Sequence, residues 1–144
     1  MIACVLDASV VARWFVGDPQ AGQVRAARGM RSELRAGQIE CHAPRLLFVE
    51  VANAIWKECR FGSLPPLDAR ALIQDLSVLD VVAHDHEPLL PEAFDLALAH
   101  GLTVYDAMYV ALARKRQLAL WTQDARLARN ASGAVDVRIP ASGA

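Results

Sequence analysis

Four carboxylates give this chain its first chemical signal: Asp7 closing "CVLD", Glu50 within "LLFVEVANAIW", Asp106 in "TVYDAM" and Asp124 in "TQDAR". Carboxylates that share a crevice repel one another, and the strain is relieved by a proton or by a divalent cation. No His or Cys adjoins these acids in the sequence, so a shared cation would be a hard one, Mg²⁺ with Mn²⁺ as substitute. One or two such ions can activate water and stabilise the leaving oxygen of an in-line attack on a phosphodiester. The chemistry implied is metal-assisted phosphodiester hydrolysis.

Taken singly, three of the four have ordinary structural explanations. Asp7 and Asp124 each stand just before a helical stretch, where an N-cap carboxylate satisfies free backbone N–H groups. Asp106 follows Thr103 by three residues, the spacing of a capping box. Glu50 lies mid-helix, where no free N–H needs it. At ~100° per residue, Leu46, Leu47, Asn53 and Ala54 share its side of the helix. A charge on so apolar a face is costly unless it is paired, protonated or metal-bound. Lys57, two turns on, offers a simple ion pair as the plain alternative, and Asn53 is placed to orient the carboxylate or a water.

The elements that must carry these residues alternate along the chain. Apolar runs predict strands at "IACVL", "IECHAP", "DVVAH", "LALWT" and "VDVRI". Between them, periodic stretches predict helices at 8–16, at 19–36, from Arg45 to a stop at Gly62, over Leu64–Leu79, at 87–101 and 103–117, and over 124–131. Such alternation over 144 residues predicts a single α/β domain with a mainly parallel sheet of about five strands. Ligands in sheets of this kind bind outside the carboxyl ends of the strands. Asp7 and Asp124 fall at two such ends.

With 54% hydrophobic and 22% charged residues the chain reads as globular. Its apolar runs are shorter than the ~20 residues of a membrane span, and no basic stretch precedes an apolar leader, so no membrane association and a cytoplasmic location are expected. Three cysteines without a C-x-x-C pair suggest reduced thiols rather than a disulfide framework or zinc site. The net charge of −1 argues against a nucleic-acid partner only until the four acids are set aside, which leaves 12 acids against 15 bases. Arginines gather at Arg25–Arg35, at Arg114, Lys115 and Arg116, and at Arg126 with Arg129. The plain reading of any one such cluster is a solvated helix face.

The segments "LDAS", "EVAN", "TVYDAMYVALA" and "TQDARL", in that order and spacing, resemble the four acidic motifs of the PIN domain across essentially the whole chain. The short length of the chain, its single domain and the "DAMYVALA" helix are most similar to the VapC toxins of bacterial type II toxin–antitoxin systems. The resemblance implies a three-layer α/β/α sandwich and a Mg²⁺- or Mn²⁺-dependent endoribonuclease acting on structured RNA, tRNA or rRNA. It implies metal ligation by Asp7, Asp106 and Asp124, with Glu50 as a further ligand or as the residue that positions water. Ser9, Asn53, Thr103 and Thr122 would support the carboxylates, and Arg114, Lys115, Arg116 and Arg126 become candidates for RNA contact. It also implies inhibition by a cognate VapB-like antitoxin, and a homodimer for which the helices over Leu64–Leu79 and Glu87–Leu98 offer apolar faces.

Other signals are weaker. "HDHE", His84–Glu87, has metal-like spacing but is expected to be a polar loop and helix start. Trp14, Phe15, Trp56 and Trp121 are expected in the core or at a dimer interface rather than stacked on bases. An Asp-nucleophile phosphotransferase would also suit a strand-end Asp7, yet the haloacid-dehalogenase-like form wants a second Asp where Ser9 stands. A catalytically silent binding module is the other rival, and four intact acids argue against it.

Overall fold

The computed structural model describes residues 1–141. Five strands, β1 (Ile2–Leu6), β2 (Ile39–Pro44), β3 (Val82–His84), β4 (Leu120–Trp121) and β5 (Val137–Arg138), form one sheet in the order β3-β2-β1-β4-β5. Every pairing between them is parallel. Side chains alternate between the faces of a strand, and Val5 and Leu6 are both fully buried, so helices cover the sheet on both sides. The result is the three-layer α/β/α sandwich.

The helices are α1 (Ala8–Ala12), α2 (Gly22–Arg35), α3 (Leu46–Phe61), α4 (Pro66–Ser77), α5 (Leu90–His100), α6 (Val104–Arg116) and α7 (Ala125–Ala131), with a short 3₁₀ turn at Glu87–Leu89. No single helix among the described residues is long and apolar enough to cross a membrane. Helix α6 is the most deeply sunk: Ala107 to Ala113 are all buried, with Tyr109, Val110 and Leu112 wholly so. Gly101, with φ of 64°, ends α5 in the left-handed conformation that lets the chain turn directly into α6.

The helix expected over 8–16 is only Ala8–Ala12. Beyond it the chain tightens into i to i+3 bonds, Arg13 N–H to Val10 O (3.2 Å) and Trp14 N–H to Val11 O (3.0 Å). Side chains from α2 then take the carbonyls that a longer helix would have used: Arg28 Nε donates to Arg13 O at 3.0 Å and Arg31 Nη1 to Trp14 O at 3.1 Å. Trp14 returns the tie through Nε1 to Ala27 O at 2.7 Å. Part of the Arg25–Arg35 cluster is therefore structural. Strands β4 and β5 each pair over only two residues, shorter than the apolar runs that predicted them.

The order of strands has a consequence for chemistry. From β1 the chain builds outward to β2 and β3, then returns to lay β4 and β5 on the other side. The change of direction falls between β1 and β4, the position where α/β sheets open a crevice at their carboxyl ends.

Candidate functional site

Asp7 leaves β1 at that crevice, 4% exposed, with its N–H on Trp121 O of β4 at 3.0 Å. Its carboxylate is held through one oxygen. Oδ2 accepts from Ser9 Oγ at 2.7 Å and from Thr122 Oγ1 at 2.8 Å, with Ser9 N–H at a longer 3.4 Å. A hydroxyl has one proton to give, so each donor needs its lone pair engaged from behind to stay aimed. Gln123 N–H donates to Ser9 Oγ at 2.8 Å and Asp124 N–H to Thr122 Oγ1 at 3.0 Å. The two hydroxyls lie 3.2 Å from each other as well, so they close one hydrogen-bonded cluster on Oδ2, and none of these bonds falls on Oδ1. Burial pushes the Asp7 carboxyl up, while the hydroxyl and backbone donors work against it.

Glu50 projects from the second turn of α3. Its partner is Tyr109 of α6, whose hydroxyl donates to Oε1 at 2.8 Å. The ion pair offered by Lys57 does not form, and Asn53 is exposed without a hydrogen bond to Glu50. Burial first, then the charges of Asp7 and Asp106, push Glu50 up to about 7 although the Tyr109 hydroxyl favours its anion. Tyr109 itself is fully buried and held far above the usual phenol range by burial and by the same three acids.

Asp106 lies in the first turn of α6, with its N–H on Thr103 Oγ1 at 3.1 Å, so Thr103 is the cap of this helix. Burial, then Asp7 and Asp124, push its carboxyl up to about 6, and only the Arg126 charge and the Thr103 bond ease it. Asp124 is exposed and serves as the N-cap of α7, Oδ1 accepting from Arg126 N–H at 2.9 Å and Leu127 N–H at 3.1 Å. Cap and crevice are compatible here because Oδ2 takes no part in the capping.

Across the crevice Glu50 thus feels Asp7 and Asp106, and Asp106 feels Asp7 and Asp124, and none of the ion pairs among the described residues involves these acids. Among the described residues no three His, Cys, Asp or Glu side chains are close enough to enclose an ion by themselves. A hard ion fits this arrangement nonetheless. Mg²⁺ keeps several waters and is usually held through one or two carboxylates with substrate oxygens completing its shell. Like charges facing one another with no cation between them are the donor set such an ion neutralises.

The remaining sequence candidates divide. Arg126 stands where its charge reaches Asp106. Arg114 is paired with Glu92 of α5 at 2.9 Å, and Lys115 and Arg116 lie at the far end of α6, ~15 Å along its axis from Asp106. They line a second hollow with His84, Asp85 and Leu89. His84 is the last residue of β3, where the "DVVAH" run ends, and the polar turn of "HDHE" begins after it; His84 Nε2 lies 2.9 Å from Nδ1 of buried His42, which also meets Glu40 at 2.6 Å. Trp14 and Phe15 are core, whereas Trp56 is half exposed with Phe61 edge-on to it at 5.7 Å. Tyr109 was the functional-site residue the sequence did not disclose, although its place three residues after Asp106 puts both on one side of α6.

A family model described as PIN domain matches residues 4–133. The chain is 39% identical to Ribonuclease VapC3 of Pyrobaculum aerophilum, over 86% of this chain and 91% of that protein. It is 35% identical to Ribonuclease VapC1 of Mycobacterium tuberculosis, over 89% of this chain and 90% of that one. Among solved structures, a Pyrobaculum aerophilum protein superimposes with a TM-score of 0.68 at 27% identity, covering 94% of this chain and 83% of its own. A chain from a toxin–antitoxin complex of Klebsiella pneumoniae shares the fold, with a TM-score of 0.67 at 17% identity over 97% of this chain and 99% of that one.

Proposed function

The chain belongs to the PIN domain family, and on that footing we propose that it is a divalent-metal-dependent endoribonuclease, the toxin of a VapBC-like toxin–antitoxin pair. One observation carries the reading: Glu50 and Asp106 face Asp7 with no ion pair to any of the three among the described residues and only the more distant Arg126 charge to ease Asp106, and their carboxyls are pushed up to about 7 and about 6. A charge constellation left this unbalanced is destabilising for the protein that keeps it, and perturbed acids gathered in a crevice mark functional sites. The ribonuclease names of its relatives agree with what the acids could do.

In this reading Asp7, Asp106 and Asp124 would hold Mg²⁺, or Mn²⁺ in its place, directly or through its waters, and Glu50 would be a further ligand or hold the attacking water. The metal, when bound, would lower the pKa of that water and offset charge on the phosphate oxygens. Asp7 offers Oδ1 because Ser9 and Thr122 occupy Oδ2. Glu50, with its carboxyl near neutral pH, is suited to accept a proton from water while the Tyr109 hydroxyl fixes one of its oxygens. Arg126, whose charge reaches Asp106, would meet an adjacent RNA phosphate, and Lys115 and Arg116 would extend the cationic surface for a structured substrate such as tRNA or rRNA.

A cognate antitoxin would occupy the same crevice and exclude RNA. A second copy of the chain would cover the apolar residues that α4 and α5 leave exposed, Leu67 and Val78 on the one segment and Phe94 and Leu98 on the other. The decisive experiment incubates purified, antitoxin-free protein with total RNA and Mg²⁺ or Mn²⁺, beside an EDTA control and Asp7→Asn. Cleavage that needs the metal and is lost in Asp7→Asn is expected. If no RNA is cut with either ion, or Asp7→Asn cuts as well as the parent, the protein is not this nuclease.

A further inference from the structure

Among the described residues no carboxylate pairs with Arg13, yet its guanidinium joins α1, the first turn of α2 and the turn after β4. Nη1 donates to Ser9 O at 2.9 Å and to Gln123 Oε1 at 3.0 Å, and Nη2 donates to Gln23 Oε1 at 3.1 Å. Gln123 completes the ring by donating from Nε2 to Gln23 O at 2.8 Å. The side chain of Gln123 is therefore fixed at both its oxygen and its nitrogen, between the end of α1 and the first turn of α2.

What Gln123 does with its backbone gives this clamp a chemical meaning. Its N–H is the donor that holds the Ser9 hydroxyl from behind, and the next N–H, of Asp124, does the same for Thr122. Those two hydroxyls are the donors on Asp7 Oδ2. The fork of an arginine is stiff and bidentate, which suits it to fix a turn that a lysine would leave loose.

We propose that Arg13 is the positioning residue of the site: through Gln123 it locks the turn 122–124, so that Ser9 and Thr122 present Asp7 with Oδ1 free for a metal ion. The proposal rests on the metal-dependent reading above. Groups that orient a ligand from behind are typically worth 10–100-fold in metal affinity when removed. Arg13 touches neither substrate nor ligand and acts only through this chain of bonds.

The test compares Arg13→Met, which keeps the aliphatic stem, with Arg13→Lys and with Arg31→Met, a neighbour whose bond to Trp14 O is purely structural. Mn²⁺ affinity is measured by calorimetry without RNA, and amide exchange is followed residue by residue. Arg13→Met should weaken Mn²⁺ binding roughly 10–100-fold and speed exchange at Gln123 and Asp124, with β1 still protected. Arg13→Lys should recover part of both, while Arg31→Met should lower thermal stability and leave Mn²⁺ affinity intact. Unchanged Mn²⁺ affinity in Arg13→Met, or a loss matched by Arg31→Met, overturns the proposal. Should the parent itself bind no Mn²⁺, the nuclease reading fails, and unchanged exchange at Gln123 and Asp124 in Arg13→Met would separately refute the clamp.

Discussion

The two halves of the crevice are built on different principles. On the strand side, Asp7 sits at the end of β1 with hydroxyl donors on one oxygen, each backed by a backbone N–H. On the helix side, Glu50 has one hydrogen-bond partner among the described residues, Tyr109, and the side chain of Asp106 is eased only by Thr103 and the Arg126 charge. The strand side fixes a position. Burial raises Asp7 as well, but two hydroxyls and backbone donors oppose it there, whereas Glu50 and Asp106 each have one hydroxyl against the rise, so the helix side leaves its charge less resolved. A metal site needs both, because a ligand that is already fully satisfied has nothing to offer an ion and one held by nothing cannot select its geometry.

The sharpest way to break the contrast is to remove charge from the strand side. Asp7→Asn can keep the contour and one hydrogen-bonded oxygen, and RNA cleavage should still fall by ~10³-fold, the several kcal/mol that charge stabilisation at a metal centre supplies. Asp124→Asn is its companion. Asn caps a helix as well as Asp does, so cleavage should fall while the melting temperature holds, whereas Asp124→Ala should lose about 1 kcal/mol of stability as well. Equal melting of the Ala and Asn variants would show that the cap contributes nothing, despite the short bonds to Arg126 and Leu127 N–H groups.

Next in size is Thr122→Val, which keeps shape and deletes one of the donors on Asp7 Oδ2. Mn²⁺ affinity should drop roughly 10–100-fold, as for other groups that orient a metal ligand. The buried acceptor left short of a donor should also cost about 1–3 kcal/mol in a denaturant titration at neutral pH. Affinity that survives Thr122→Val would mean that Ser9 alone orients Asp7, and the strand side would be less determined than its geometry suggests.

The helix side should betray itself in the pH dependence of metal-free stability. Glu50 is held at about 7 against an ordinary 4.5, and Asp106 at about 6 against 3.8. Between those values the folded chain binds more protons than the unfolded one, so their contribution is full below the ordinary values and is lost as pH rises through the raised ones. Glu50 and Asp106 should lower stability by on the order of 1–2 kcal/mol from pH 4.5 to 7 once solvent screening of these half-buried groups is allowed for, and buried Asp7, whose carboxyl is also raised, acts in the same direction. Saturating Mg²⁺ should flatten the curve. A metal-free protein that gains stability over this interval would contradict the unresolved charge.

The same division explains what could be read from the sequence. The strand side was legible because strands and turns are local: "CVLDAS" places Asp7 and Ser9 at a strand end, and "WTQDAR" places Thr122 and Asp124 at another. Even there, Arg13 was invisible, since its partners Gln23 and Gln123 meet it only once α2 and the turn after β4 have packed. The early end of α1 was hidden for a like reason, because "ASVVARWFV" carries no breaker and is turned by arginines of α2. On the helix side Glu50 announced itself as a charge on an apolar face, but its partner did not. Lys57 was the local choice, and the true one, Tyr109, is 59 residues away.

Tyr109→Phe is the smallest and most discriminating change, since it removes one hydroxyl and nothing else from the join between α3 and α6. That hydroxyl favours the Glu50 anion, so its loss should raise the Glu50 carboxyl above about 7 and move the acid limb of the cleavage profile toward higher pH. The energetic scale is that of one hydrogen bond, about 1 kcal/mol. Stability of the metal-free protein at neutral pH should move by no more than this, because the acceptor left behind can take up a proton instead of staying charged and alone. An acid limb that stays in place would mean that burial and the facing acids set Glu50 by themselves, and that the bond to Tyr109 serves packing between the helices rather than the charge of the site.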